Sequence, residues 1–519
     1  MQNRSRPRWK LLLVLLTLPW VGVLLLFMVP ALERYSHTRT TAVMAAVLAS
    51  LALAMVWLLG MSGLKWAQRG KGLVLLLVLA GGFAGLVRKD GHMGDFLPQL
   101  SWRWQPKPGE AATAPLLIAP RAAGAISFTT DQTGDSPHFL GADGLNWQPA
   151  ETLAPDWPAT APKELWRRPL GLGWSGFIVA GELAITQEQR GDDEVTVAYR
   201  LTTGEPVWQH VEKARFEEAM GGIGPRATPT AHDGKVYALG ATGILTCLDG
   251  PTGKLIWRRD TLTEAGHENL IWAKSSSPLI SGDNVIITLG TGPQTLAAYA
   301  TATGEPVWRG GPAKSGYSSP ILLTVDGKPQ ILSLFANSAG AYDPTTGAEL
   351  WSWTDGFKAA AANVANPIFL APDRILVALG YGVGATLLKT APGTAPEILW
   401  QSPKMSPKFT NLIVRGTHAW GLDEGRLSCL DLTTGDQVWR GSKFGHGQIL
   451  GAGPHLIIQS ERGEVVIAEA SPTEEKILTR FPALTSKTWN QPCLAGRYLL
   501  VRNDREAICF ELKGREPPK

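Results

Sequence analysis

Carboxylate, cation and indole side chains stand close together at three places in this chain. Glu188 and Arg190 follow the apolar stretch GELAITQ, and RFEEAMGGIGPRATP carries Arg215, Glu217, Glu218 and Arg226. HENLIWAKSSSP carries His267, Glu268, Asn269, Trp272 and Lys274. Later members are sparser: Tyr317, Ser318, Asn363, Asn366, Lys408 and His446, then Lys487, Thr488, Trp489 and Asn490. If Arg226, Lys274 and Lys408 converge, their charges suit a polycarboxylate or another anionic ligand. Trp272 or Trp489 would stack on a flat ring. Glu188 or Glu217 would act as a base or metal ligand. The competing reading is structural: polar side chains satisfy strand ends, and Arg–Glu pairs lock neighbouring sheets. His267 and His446 read as loop histidines. No Ser/His/Asp or Cys/His arrangement can be argued from spacing, so no residue is assigned to catalysis or to a metal. The candidate binding set is Glu188, Arg226, Trp272, Lys274, Lys408 and Trp489.

Positioning such a set falls to a repeat. YRLTTGEPVW at Tyr199–Trp208 returns as LDGPTGKLIW at Leu248–Trp257, YATATGEPVW at Tyr299–Trp308, YDPTTGAELW at Tyr342–Trp351 and LDLTTGDQVW at Leu430–Trp439. The Thr-Gly step recurs after 49, 51, 43 and 88 residues, the last being two ordinary intervals. A period in the forties, with short alternating strands and one Trp per unit, predicts an all-β, eight-bladed β-propeller. Asp and Thr cap the turn, Gly supplies the positive φ, and Trp covers the apolar seam between sheets. The unit ending at Trp400 has lost the Asp-x-x-Thr-Gly turn, and the one near Leu478 has lost both turn and Trp. Thr488–Leu512 has inner strands but no closing phrase, while KELWRRPL at Lys163–Leu170 is unattached. That early strand is expected to complete the last sheet and seal the ring.

Composition agrees with a turn-dense β protein. The 519 residues include 57 Gly, 37 Pro and 20 Trp, and only 18% are charged, against ~25% in ordinary soluble domains. The net charge of +4 and the lack of a dense basic patch with interleaved aromatics argue against nucleic acid. Cys247, Cys429, Cys493 and Cys509 include no C-x-x-C pair. They read as buried thiols, with a Cys493–Cys509 bridge as the alternative.

Leu11–Pro30, Ala42–Gly60 and Leu73–Val87 are apolar runs, which predict transmembrane helices at 11–30, 42–60 and 72–88. The third is shorter and glycine-bearing, with lying on the membrane as its alternative. Arg4, Arg6, Arg8 and Lys10, and Lys65, Arg69 and Lys71 in the second loop, place the N-terminus in the cytoplasm and the remainder outside. The expected organisation is a membrane region at 1–89, a Pro/Gly-rich tether and cap at 90–162, a propeller at 163–512 and a disordered tail at 513–519.

The phrases DG-x-x-Y-A-L and D-x-x-T-G-x-x-x-W resemble the pyrroloquinoline-quinone (PQQ) enzyme repeat. Over roughly Lys163–Leu512 the chain is similar to PQQ-like propellers, a family with quinoprotein dehydrogenases and the propeller lipoprotein of outer-membrane assembly. LAPDWPATAPKELWRRPLGLGWSGFIV resembles membrane-attached planctomycete-type members. For the enzymes, the resemblance implies an adjacent Cys-Cys pair and a Trp on the two faces of PQQ, an Asp base and a Ca²⁺ cluster. This chain has no Cys-Cys and no D-x-D-x-D-G loop. The expectation is a membrane-anchored propeller facing the periplasm or outside. It would act as a non-catalytic binding or scaffold module for a protein or cell-envelope partner on its rim, with the lipid bilayer holding its helices. The alternative is a PQQ- and Ca²⁺-dependent membrane oxidoreductase of the alcohol or sugar dehydrogenase type.

Overall fold

The computed structural model describes residues 7–29, 36–107, 116–118, 126–130, 134–148, 162–355, 357, 362–391 and 393–512. The tail expected at 513–519 and the linker stretch 149–161 lie outside the described residues. The chain divides into two compact units, Met1–Lys107 and Pro108–Lys519.

The first unit opens with three helices: α1 (Trp9–Met28), α2 (Ser36–Val56, continued by a π turn over Trp57–Met61) and α3 (Trp66–Leu86). All three are long and apolar enough to cross a membrane. α1 and α2 pair closely: Ser50 Oγ donates to Leu16 O over 3.3 Å and Trp57 Nε1 to Arg8 O over 3.0 Å. α3 is longer than its apolar run. It takes in Arg69 and Lys71 at its first turns, where Arg69 folds back to donate to Leu64 O over 2.9 Å. A hairpin of β1 (Val87–His92) and β2 (Pro98–Trp102) follows α3 without a break, where a tether was expected from residue 90.

The second unit holds eight antiparallel sheets of four strands, one of them with a short fifth strand added. Blades 1 to 8 span 178–212, 230–260, 279–310, 321–353, 368–402, 413–443, 448–482 and 493–511. Blade 8 draws only three strands from the C-terminal end. Its outer strand is Lys163–Pro169, antiparallel to Glu506–Glu511 with Trp166 opposite Cys509. The unattached KELWRRPL phrase thus closes the ring.

The repeated phrase is a joint between blades. Trp208, Trp257, Trp308 and Trp400 each donate Nε1–H to a turn carbonyl of the following blade: Gly250, Thr301, Pro344 and Leu432, over 2.9, 3.0, 3.0 and 2.9 Å. Trp166 makes the same bond from blade 8 to Leu201 of blade 1, at 2.8 Å. The Gly of the Thr-Gly step lies against that indole. A Cβ on Gly304 would stand 2.6 Å from Trp257, and its φ is +73°. Glycine is needed there for the left-handed backbone and for the ring above it. Blade 5 lacks the Thr-Gly turn, and Trp351 of blade 4 turns instead to Gln330 Oε1 of its own sheet, at 3.3 Å.

Apolar clusters lie between sheets. Val195, Val197 and Tyr199 of blade 1 pack with Cys493, Leu500 and Cys509 of blade 8. Each such side chain taken from water is worth about 1.5–3 kcal/mol, so a blade without its neighbour is unstable. All four thiols are free and buried. Cys493 and Cys509 flank Leu500 from opposite strands, about 9–10 Å apart, beyond disulfide reach.

Candidate functional site

A belt of hydrogen bonds defines the throat of the ring. Inner strands are entered through short loops, most with a polar side chain at a matching place and blade 1 with Gly176. Gly176 N–H donates to Thr228 Oγ1 (3.0 Å), Thr228 N–H to Ser277 Oγ (3.0 Å) and Ser277 N–H to Ser319 Oγ (2.9 Å). Ser319 N–H donates to Asn366 Oδ1 (2.9 Å) and Asn366 N–H to Asn411 Oδ1 (2.8 Å). One bond type thus ties blades 1 through 6 in succession. Amide donors then take over. Gln448 Nε2 reaches Trp489 O at 3.0 Å, and Asn490 Nδ2 reaches Ser175 O at 2.9 Å, back at blade 1.

Two residues ahead of the belt position, the loops present Trp174, Arg226, Tyr317, Phe409, His446 and Trp489. These form the mouth. Trp174 and Trp489 lie with ring centroids 5.0 Å apart, Phe409 is 5.1 Å from Trp489, and His446 is 6.0 Å from Phe409. Lys487 Nζ sits 4.0 Å from the Trp489 centroid and 4.9 Å from that of Trp174. Trp489 Nε1 donates to Glu461 Oε1 at 2.9 Å. Burial pushes the Lys487 ammonium down to about 8 against the pull of Asp504 and Glu461. Except for buried His446, these aromatic side chains are half-buried.

The candidate set is divided by the structure. Trp489 is at the mouth, and Trp272 lies 5.4 Å from the Tyr317 ring. Lys408 is buried, with Nζ 5.8 Å from the Tyr381 centroid. Arg226 is turned inward, held by the carbonyls of Gly222 (2.9 Å) and Gly224 and by Glu218 at 3.5 Å. Glu188 is fully buried within its strand. It accepts from Tyr199 Oη (2.7 Å), Arg190 Nε (3.1 Å) and Gly171 N–H. Lys274 is also fully buried, donating to Thr288 Oγ1 (3.0 Å) and Leu289 O (2.7 Å). Arg226, Lys274 and Lys408 therefore do not present their charges together to one ligand, because sheet and loop acceptors engage two of them from inside.

Lys274 has only neutral oxygen partners among the described residues, and burial alone pushes its ammonium down to about 7. The folded protein binds this proton less well than the unfolded chain, so the cost of burial is fullest below pH 7 and fades as pH rises toward 10.5. Lys274→Met is expected to raise the melting temperature at pH 6–7. The gain should shrink steadily in alkaline buffer, as thermal scans across pH would show. A gain independent of pH would rule out charge as its cause.

The lead-in before the clasp enters the channel. Ser136 bridges to Val179 of blade 1, and Ala231 N–H of blade 2 donates to Pro137 O at 2.7 Å. The segment then returns as Trp147–Gln148, parallel to inner strand Gln448–Ala452 of blade 7. Asn146 Nδ2 donates to Ile449 O at 2.7 Å and its Oδ1 accepts from Gln491 Nε2 at 2.9 Å, linking this plug to the throat. Inner strands line the channel, so residues 134–148 occupy it on the side of blades 7, 1 and 2. A cavity of about 350 Å³ remains between His138 and Phe139 of the plug and the inner strands of blades 2 to 4.

The sequence profile described as outer membrane protein assembly factor BamB matches residues 191–441, from blade 1 into blade 6. Over those residues the propeller is similar to the PQQ-like repeat family. BamB of Shewanella oneidensis is 21% identical over 325 residues, 60% of this chain and 80% of that protein. Among solved structures, the quinohemoprotein alcohol dehydrogenase of Comamonas testosteroni aligns with TM-score 0.55 at 14% identity, over 75% of this chain and 82% of that one. A europium-containing methanol dehydrogenase aligns with TM-score 0.54 at 12% identity, over 72% and 90%. At these identities the structural likeness is one of fold. The chain has no adjacent Cys pair, and protein oxygens hold Arg226 and Lys274 from within. Among the described residues, no three His, Cys, Asp or Glu side chains converge as a metal cluster.

Trp174, Phe409, Tyr381 and Glu461 were missed by sequence reasoning. Polar-Pro steps at Thr228-Pro229, Ser277-Pro278, Ser319-Pro320, Asn366-Pro367 and Gln491-Pro492 mark the belt, and counting back two from Thr228, Ser319 and Gln491 reaches Arg226, Tyr317 and Trp489, but no such step leads to the four missed residues.

Proposed function

We propose that this chain is a membrane-anchored PQQ-like propeller that acts as a non-catalytic docking module for a protein or cell-envelope partner. Its helices cross the inner membrane and its propeller faces the periplasm or outside, as the basic N-terminus and second loop suggest. The observation that carries this reading is the contrast at the mouth. Arg226 and Lys274 are engaged from within, and the channel behind holds the chain's own plug, whereas Trp174, Trp272, Tyr317, Phe409 and Trp489 are only half-buried. Such a rim of rigid aromatics suits contact with a macromolecule, where Trp and Tyr anchor binding. The similarity to proteins described as outer membrane assembly factors supports the same direction.

The alternative, a PQQ-dependent oxidoreductase, has the shared fold in its favour. Adding PQQ and Ca²⁺ to the purified full chain tests both readings. The expected result is an unchanged melting temperature and no dye reduction with alcohols or aldoses. A ligand that binds at 100 times its Kd stabilises by about 2.7 kcal/mol, so a tight cofactor would be plain in a thermal scan. A clear upward shift accompanied by substrate-dependent dye reduction would replace docking with oxidation.

A further inference from the structure

The hairpin after α3 has two unlike faces. On one, Arg88 Nε meets Asp90 Oδ1 at 2.7 Å and Ser101 Oγ donates to Asp90 Oδ2 at 2.7 Å. Arg88 also donates to Gln105 O and Pro106 O, each at 2.8 Å, so this polar face is internally satisfied. The other face carries Lys89, Leu100 and Trp102, with Lys89 directly opposite Leu100. Leu100 is 52% exposed, Trp102 46% and the following Trp104 67%; the two indoles stack at 4.8 Å. Phe96 and Leu97 at the tip are exposed as well. An isolated two-stranded hairpin is marginal in water, and among the described residues of this unit these side chains stay exposed.

The hairpin's depth is fixed by the helix. Arg103 N–H donates to Leu86 O at 2.9 Å, and Arg103 Nε and Nη2 both donate to Ala84 O at 3.2 Å. The exit of β2 therefore caps the last turn of α3 and cannot swing away from it. If α3 crosses a bilayer, its final turn lies at the boundary between hydrocarbon and water. Trp, with its apolar body and polar N–H, concentrates at that depth, and Lys can lay its stem along the surface while its ammonium reaches phosphates.

We propose that the β1/β2 hairpin is a membrane-surface foot: its Leu100/Trp102/Trp104 face lies in the headgroup region of the membrane that α3 crosses. The occupant is lipid, argued from the unbroken connection to α3. The proposal rests on the reading of α3 as a spanning helix, so the test probes both.

The four native thiols suit a labelling experiment. They are buried, and burial pushes Cys247, Cys429 and Cys509 up to about 12 and Cys493 up to about 11, so a single new cysteine takes the label. A nitrobenzoxadiazole label is placed at Leu100→Cys in the full chain, reconstituted in phosphatidylcholine/phosphatidylglycerol vesicles. Parallel samples carry it at Trp104→Cys, at Leu77→Cys within α3 and at Thr202→Cys on the propeller. The vesicles contain nitroxide lipids labelled near the headgroup or near the chain end. The expected result is several-fold stronger quenching of positions 100 and 104 by the shallow nitroxide than by the deep one. Position 77 should favour the deep nitroxide, and position 202 should respond only to aqueous iodide. Iodide quenching at 100 and 104 alongside deep quenching at 77 would overturn the foot and leave the spanning helix intact. A label at 100 shielded from both lipid and iodide would mean a protein partner covers the face, which also overturns it. Loss of lipid quenching at 77 would instead remove the spanning reading on which the foot depends.

Discussion

Trp166→Ala is expected to destabilise the propeller by about 4 kcal/mol, the usual cost of emptying a buried aromatic site. In a domain of this size that corresponds to roughly 5–10 °C in melting temperature. Trp166 is 7% exposed, donates to Leu201 O at 2.8 Å and lies against Gly204. It arrives from the N-terminal side of the ring and donates across the blade 8/blade 1 junction. Its loss should therefore act on one junction. Hydrogen exchange should quicken together in Lys163–Pro169 and Glu506–Glu511, which pair directly, while blade 4 keeps its protection. Uniform loosening of all blades, or no change at the clasp, would contradict this assignment.

Arg502→Met should cost about 3 kcal/mol, for a different reason. Arg502 belongs to blade 8, is fully buried, and donates to Thr186 Oγ1 (2.6 Å), Gln187 O (3.0 Å), Gly171 O (3.3 Å) and Gly173 O (3.5 Å) of the blade 1 side. Burial pushes its guanidinium down to about 10, so it stays cationic at neutral pH beside buried Glu188. Methionine fills similar space but removes the donor to Gln187 O and Gly171 O, leaves Gly173 O to Asn490 Nδ2 alone and weakens the support of a buried carboxylate, and such groups are expensive to leave unpaired. Thermal melts should show the loss. The Trp166→Ala/Arg502→Met pair should lose less than the sum of the two, because both act on the same joint. Full additivity would mean that the contacts are independent.

The architecture was legible because its signal is periodic. The spacing of Thr-Gly and Trp gave the blade period, and the orphan phrase around Trp166 gave the clasp. The exceptions were legible too: the turn lost before Trp400 is where Trp351 loses its partner across the seam. The site was only partly so. HENLIWAKSSSP reads as one exposed loop, yet its Trp272 faces out while Lys274 turns between strands to Thr288. Direction of that kind is set by tertiary packing and leaves no trace in residue type. Glu188 was read as a base or metal ligand because it follows an apolar stretch, but Leu183–Arg190, the second strand of blade 1, runs on through it and carries the carboxylate inside the sheet. The plug offered no periodicity at all. Its shape comes from turns such as Gly141 and Gly144, both at positive φ, and its partners are distant in the chain.

The closing strand also has a consequence for biogenesis. Arg167 and its ion-pair partner Glu506 stand 339 residues apart. At 5–20 residues per second, roughly 20–70 s of translation separates them. Through that interval the nascent chain holds a half-built circle, with strand Lys163–Pro169 still waiting for its mate. Until Glu506–Glu511 has been made, that strand is open to capture by any other β-rich chain nearby, so its arrival is the moment when the molecule becomes safe from its neighbours.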